Sequence, residues 1–418
     1  VYERLGDVRS IAVTKGKIAD ILEARGQFDD ALDIRQNDEL PVYERLGDVR
    51  SIAVTKGKIA DILEARGQFD DALDIRQNDV LPVFERIGDR RTTAIILRRI
   101  ADLKEAKGDP AAAISDLRRA TDTIPDEHVR DIAIFQSRIA EILEAQGDLA
   151  EAHRTRKGEL QIVEAIGDDW TILVALDKLA DLAQQLGRMD EAAALRQRLR
   201  EMDPAPFGPL WSALLDGKAA WLAFLQGNRE AIRRVMSEVE IPAYDAAGKS
   251  AWSALVQVRL AWLDVVEGAD PGQAHAIAAA KLAETYEVPA ADRGSLARAH
   301  LLCAELGLLA GESEDTITRI EAEVLSGDGL KPNLARDLEA TAQVSVAAFR
   351  LGRKPDLAGI MERLERAIRT GAIGPVAWAS LAAGLVATAE EDRTLHLSEA
   401  ETGFAQLARE GWVAKLRP

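Results

Sequence analysis

The chain has 418 residues, 47% apolar and 5% aromatic, with 53 Lys and Arg against 70 Asp and Glu and a net charge of −17. The apolar fraction excludes a disordered chain, and an Ala-, Leu- and Ile-rich apolar set favours helices over strands. The charge repels a phosphate backbone and argues against general nucleic-acid binding, while a single cysteine, Cys303, excludes an intrachain disulfide framework or cysteine-built zinc site.

The first 82 residues are one 41-residue segment written twice: Val1–Pro41 and Val42–Pro82 differ only in that Glu39 becomes Val80. Near-identity over that length marks recent duplication of a unit that stacks on itself. Within each copy the apolar period is helical. Ile11, Ile18, Ile21 and Leu22 fall on one face between Gly6-Asp7 and Gly26, and Phe28, Ala31, Leu32 and Ile34 begin a second segment. Asp7 is the expected N-cap, and Gly6 and Gly26 stand where helix C-termini favour a left-handed residue. Each unit is therefore expected to be two antiparallel helices, A and B, joined by a tight turn. Pro41, Pro82 and, less regularly, Pro125 fall within helix B, where a proline costs ~3 kcal/mol. The segment LPVYERLGD nevertheless keeps helical phase to Gly47, which predicts a long helix B kinked at the proline. The alternative is a break with the proline opening a short third helix.

The turn serves as a register mark. It recurs at Gly26, Gly67, Gly108, Gly147 and Gly187, with spacings of 41, 41, 39 and 40, and continues at Gly227, Gly268, Gly311 and Gly352 with spacings of 40, 41, 43 and 41. A tenth unit falls near Glu391 without its glycine. The expected fold is all-α, an α-α superhelix of about ten hairpins: a regular part over 1–203, its first unit incomplete, and a diverged Ala- and Trp-rich part over 204–418. The change of character at Met202–Pro209 also permits a separate C-terminal helical domain. The uncharged stretch Ala372–Ala389 reads as a buried helix rather than a membrane span. The chain opens in mid-repeat without an initiator Met, so its natural start is expected upstream and the absence of a visible signal peptide weighs little. No membrane attachment and a reducing, cytoplasmic setting are expected.

The turn resembles that of the tetratricopeptide repeat. In that family a glycine ends helix A, an aromatic follows two residues later, and a small residue three further on lets helix B approach; Gly26, Phe28 and Ala31 match, as do Gly67, Phe69 and Ala72. Ala19 and Leu22 occupy the family's small and large helix-A positions. Gly147, Leu149 and Ala152, and Gly187, Met189 and Ala192, match in part. The period of about 40 is longer than the family's usual ~34 and resembles the variety in kinesin light chains and in sensor arms of bacterial signalling proteins. The missing helix-A Trp and the helix-B proline depart from the pattern. An armadillo-like three-helix unit is the alternative if the proline breaks helix B, and HEAT-type repeats share the period without needing this turn.

Superposed units place charges in columns. One step after Gly16 stand Lys17, Lys58, Arg99, Arg138 and Lys178; three further on, Asp20, Asp61, Asp102, Glu141 and Asp181; three further again, Glu23, Glu64, Glu105, Glu144 and then Gln184. The resemblance implies that helix A lines a concave face, and these residues on or beside it. They read as a groove for a basic or mixed-charge protein segment, or as an i, i+3 pair in each helix with a ladder between neighbouring helices that sets register, each pair contributing about 0.2–0.5 kcal/mol, and the two readings are compatible. Arg35, Arg76, Arg156 and Arg196 of helix B are assigned to the convex surface or to B–A contacts. Trp211, Trp221, Trp252, Trp262, Trp378 and Trp412 form either a binding surface or core.

Chemistry-bearing motifs are sparse. His128, His153, His275, His300 and His396 fall in different units without ligand spacing, GDGLKP at Gly327 lacks the phosphate-loop pattern, and no GxSxG occurs. No catalytic residue, metal or cofactor is assigned. The expected function is a non-catalytic protein-interaction scaffold that binds along helix A. The alternative, which the opening in mid-repeat and the resemblance motivate, is the sensor or oligomerisation arm of a larger bacterial signalling protein with an upstream NTPase or effector domain.

Overall fold

The computed structural model describes the whole chain except residues 1–6, 203–206, 230, 286–287, 326–332, 354–355, 408, 410–411 and 417–418. The described residues form helices joined by turns, without strands. They fall into two compact units, Val1–Ile142 and Leu143–Pro418. Half of the segment Met202–Pro209 proposed as a boundary, residues 203–206, lies outside the described residues, as does GDGLKP.

Unit 1 holds α1 (Val8–Ala24), α2 (Phe28–Asp33), α3 (Leu40–Leu46), α4 (Val49–Ala65), α5 (Phe69–Asp74), α6 (Leu81–Arg86), α7 (Arg90–Ala106), α8 (Pro110–Thr123) and most of α9 (Val129–Gln146). The expected caps form. The Asp7 carboxylate accepts the Ser10 N–H at 3.0 Å, and Asp48 does the same for Ser51. The Ser10 hydroxyl and N–H hold the Asp7 carboxyl below the usual carboxylate range, and the Ser51 N–H and hydroxyl do the same for Asp48. Gly26 adopts φ 73° and all eight later turn marks also have positive φ, a conformation that a side chain would strain. The small residues Ala19, Ala31, Ala60 and Ala72 are fully buried, so helices A and B meet through them.

Identical sequences take different burial in the two copies. Ile18 and Ile21 of α1 are 44% and 53% exposed, whereas Ile59 and Ile62 of α4 are 4% and 0% exposed. Ile62 packs with Ala19 and Ala31, alongside Leu22, Phe28, Leu32 and Ile34 of the first copy. The apolar helix-A face is thus completed by the hairpin before it, as expected of a stacked repeat.

Helix B passes Pro41 without breaking. The chain runs from α2 through a π-turn, Ile34–Glu39, into α3, and the Leu40 N–H donates to the carbonyl of Arg35, five residues back. The second copy repeats this at Ile75–Val80. A π-turn adds a residue to the helical turn, so a proline just beyond it is tolerated. A further π-turn, Met236–Glu240, precedes Pro242. Pro125 differs: α8 ends at Thr123 and Ile124 is extended, with ψ 140°. The expectation of a continuing helix fails at Pro125, where no π-turn precedes the ring.

Unit 2 continues with α10 (Leu149–Ile166), α11 (Asp169–Gln185), α12 (Met189–Glu201), α13 (Pro209–Leu225), α14 (Ile232–Val235), α15 (Ile241–Ala246), α16 (Ser250–Val266) and α17 (Pro271–Ala283). It ends with α18 (Arg293–Ala310), α19 (Ser313–Ile320), α20 (Leu334–Arg350), α21 (Leu357–Thr370), α22 (Ile373–Val386), α23 (Glu390–Gln406) and α24 (Trp412–Leu416). Across both units the helices make ten A–B hairpins, the tenth being α22–α23. Helix α22 is buried along most of its length, and no described helix is long and apolar enough to cross a membrane.

Within unit 2, hairpins far apart in sequence meet. A methyl group on Gly147 would stand 2.8 Å from Thr370 Cγ2, and one on Gly187 would stand 3.0 Å from Ile373 Cδ1; at Gly26, Gly67 and Gly108 nothing lies within 4 Å. The turns after α9 and α11 therefore abut the last two hairpins. The unit's core gathers Phe224, Trp262, Trp378, Phe404 and Trp412, each at most 1% exposed.

Candidate functional site

The charged columns are joined by ion pairs. Arg35, 3% exposed, reaches from helix B to Asp20 and Glu39, both at 2.6 Å. Arg76 reaches Asp61 at 2.6 Å and Glu64 at 3.0 Å. Arg156, fully buried, holds Glu144 at 3.0 Å and Glu159 at 2.8 Å, and Arg196 holds Asp177 and Asp181. Burial alone would lower the Arg156 pKa; Glu144 and Glu159 outweigh it and leave the guanidinium firmly charged. Of the two settings expected for these arginines, the B–A contact is the one they occupy.

The basic column bridges consecutive units. Lys58 lies 3.5 Å from Asp20, and Arg138 contacts Asp102 at 3.1 Å, Glu141 at 3.2 Å and also Glu105. The column extends further than the first five units. Lys218 and Arg259 stand nine residues before Gly227 and Gly268, as Lys17 stands before Gly26. Lys218 contacts both Asp177 and Asp181 at 2.7 Å. Burial raises the Asp181 pKa, but Lys218 and Arg196 together bring it below the usual range. The fixed offset from the turn glycine could have revealed these two members from sequence.

Not every predicted site residue is used in the ladder. Among the described residues Lys17, Glu23 and Arg99 make no ion pair, and the side chains of Asp20, Lys58, Glu141 and Asp181 stay 38–49% exposed. The ladder therefore leaves a discontinuous charged surface along helices A.

The sole difference between the copies falls at the end of the π-turn. Glu39 is buried against Gly16, where a Cβ would lie 2.6 Å from its Oε1, while Val80 sits beside Gly57. Glu240, buried against Gly217, occupies the same place in hairpin six. It accepts a 3.0 Å bond from the Tyr244 hydroxyl, and burial raises its pKa.

The tryptophans divide. Trp262, Trp378 and Trp412 are core, whereas Trp170, 40% exposed, meets Trp211 edge-on at 5.0 Å and Phe207 at 5.3 Å. The residue that sequence reasoning missed altogether is Arg409. It is 7% exposed and forms a two-pronged pair with Glu305, itself 1% exposed, across 104 residues. Its guanidinium lies over the rings of Trp262 and Trp412, at 5.3 and 5.6 Å. No local pattern marks it, because its partners lie on helices far upstream.

The histidines remain dispersed: His153 lies near Glu191, His275 near Asp315, and His396 near Glu399. Cys303 is buried, and burial pushes its thiol up to about 11. Among the described residues no cluster of His, Cys, Asp or Glu could hold a metal ion.

No protein-family model matches the sequence, and no curated protein matches it. Among solved structures the chain is similar to yeast Tom70, at 12% identity and a TM-score of 0.35 over 94% of this chain and 96% of that one. It is also similar to a structure of the APC/C hetero-tetramer Cut9-Hcn1, at 12% identity and a TM-score of 0.32 over 99% of this chain and 90% of that one. The reading of the chain as a tetratricopeptide-like stack of α-α hairpins stands on its own helix pairs and turn glycines.

Proposed function

We propose that the chain is a protein-interaction scaffold that binds a basic or mixed-charge partner segment along the helix-A face of its regular repeats. The observation that carries this reading is the repetition of one charged pattern at one helix-A position in successive hairpins, with Asp20, Lys58 and Glu141 only partly covered by their ladder partners. Such a surface recognises by many small increments, so affinity grows with the number of units engaged. Exposed charges of this kind steer association and are weakened by salt.

A labelled Lys- and Arg-rich dodecapeptide tests the reading by fluorescence anisotropy. Binding is expected to fall with added salt, and to weaken roughly tenfold when residues 42–82 are deleted or when Asp20→Asn and Glu23→Gln are combined. Unchanged affinity in both variants, with native helicity by circular dichroism, would remove the helix-A columns as the site.

A further inference from the structure

Arg409 and Trp412 mark one face of unit 2, because both are seated on it. The surface beneath them is Trp262 of α16 and Glu305 of α18, and the neighbouring carboxylate is Glu339 of α20. These three helices are consecutive helices A. On the same faces, toward their N-termini, stand Arg259, three residues before Trp262; Arg298, seven before Glu305; and Arg336, three before Glu339. Those intervals keep residues on one side of a helix.

Arg259, itself a member of the basic column, Arg298 and Arg336 are less neutralised than the helix-B arginines Arg35, Arg76, Arg156 and Arg196. Among the described residues Arg259 and Arg298 have no carboxylate partner, Arg259 lying instead over Trp221 at 5.0 Å, while Arg336 is held by its neighbour Asp337 at 2.8 Å. Arg298 is exposed. The protein packed around its guanidinium, together with repulsion from Arg259 and Arg336, lowers its pKa, with Asp181 opposing. Arg259, Arg336 and Asp181 are thus the charged groups that act on Arg298.

We propose that Arg259, Arg298 and Arg336, beside the seated Arg409 and Trp412, form a binding site for an acidic stretch of a partner protein. Planar guanidiniums take carboxylates in paired, charge-assisted bonds. Packed helices lie ~8–10 Å apart, so three of them match about six residues of extended chain at ~3.3 Å each, with a carboxylate about every third residue. A nucleic acid is disfavoured because the rest of a −17 chain repels a continuous polyanion. This inference rests on the scaffold reading and assigns unit 2 the charge preference opposite to that of the acidic helix-A positions in the regular repeats.

The test uses the full chain and a labelled heptapeptide with glutamate at its first, fourth and seventh residues. Saturable, salt-sensitive binding is expected, weakened roughly fivefold by Arg298→Gln and more than ~20-fold by Arg298→Glu. Arg353→Glu, at an exposed pair with Glu314, should leave it unchanged. Should Arg298→Glu fail to fold, Arg298→Gln decides, since that side chain is exposed. Absent binding, or binding indifferent to Arg298→Gln in a natively helical protein, overturns the proposal; so does displacement by inorganic phosphate at matched concentration, which would make the site one for small oxyanions. Failure here with the basic dodecapeptide still bound through the columns sinks only this inference, whereas failure of both peptides sinks the scaffold reading too.

Discussion

Unit 1 and unit 2 use the same hairpin differently. In unit 1 the turn glycines after helices A face open space, and the charged columns join the first hairpin to the second and the third to the fourth. In unit 2 the turns at Gly147 and Gly187 press against the last two hairpins, and Arg409 ties residue 305 to the far end of the chain. Contacts between neighbours repeat with the sequence and preserve it. Contacts between distant hairpins are individual, and they coincide with the region where regular charge gives way to Ala and Trp.

The strongest way to break this comparison is Arg409→Ala. Removing one partner of a buried ion pair strands the other, at a cost of about 3–5 kcal/mol. Urea unfolding should show that loss in unit 2, while amide protection in α4 of unit 1 stays unchanged. Equal losses in both units would show that they do not unfold separately.

A pH titration sharpens the contrast next. Burial, and then Arg319, lower the His300 pKa to about 4; the exposed Glu323 carboxylate, 3.8 Å away, is too solvated to offset this. A histidine with a depressed folded pKa contributes its stability above its unfolded pKa of ~6.5 and loses it as pH falls toward the folded value. Unit 2 is therefore expected to lose roughly 3 kcal/mol between pH ~6.5 and ~4. His300→Gln should flatten that slope, and thermal melts at each pH would read it. A slope unchanged in the variant would assign the loss to other groups.

The smallest expected effect is the most local. Gly67→Ala meets only the strain of a positive φ, about 1 kcal/mol. Gly147→Ala adds an overlap with Thr370 and Leu334, worth about 2 kcal/mol more. Equal costs for the two would mean that the distant hairpins do not press on this turn.

Much of the fold was legible because a hairpin repeat writes its local requirements at fixed offsets. The turn glycines, the Asp7 cap and the buried alanines need only their own and adjacent hairpins, and each occupies its expected role. Ile18 and Ile21 show the limit: their sequence is that of buried Ile59 and Ile62, and only the neighbouring hairpin separates the two outcomes. Of the candidate site, the pairing within the columns could be read, and their continuation to Lys218 and Arg259 could have been. Arg409 could not, because an arginine in an irregular segment carries no trace of a glutamate 104 residues earlier.

The π-turns in helix B can be understood as stored insertions. Each amounts to one surplus residue lodged in a helix, with the proline that follows as its lock. Remove one residue between Ile34 and Glu39 and the turn would tighten to α, setting the Pro41 ring against a carbonyl four residues back. The surplus residue and the proline thus depend on each other, and a lineage could lose both together far more easily than either alone. Where only the proline is present, at residue 125, the helix has already stopped.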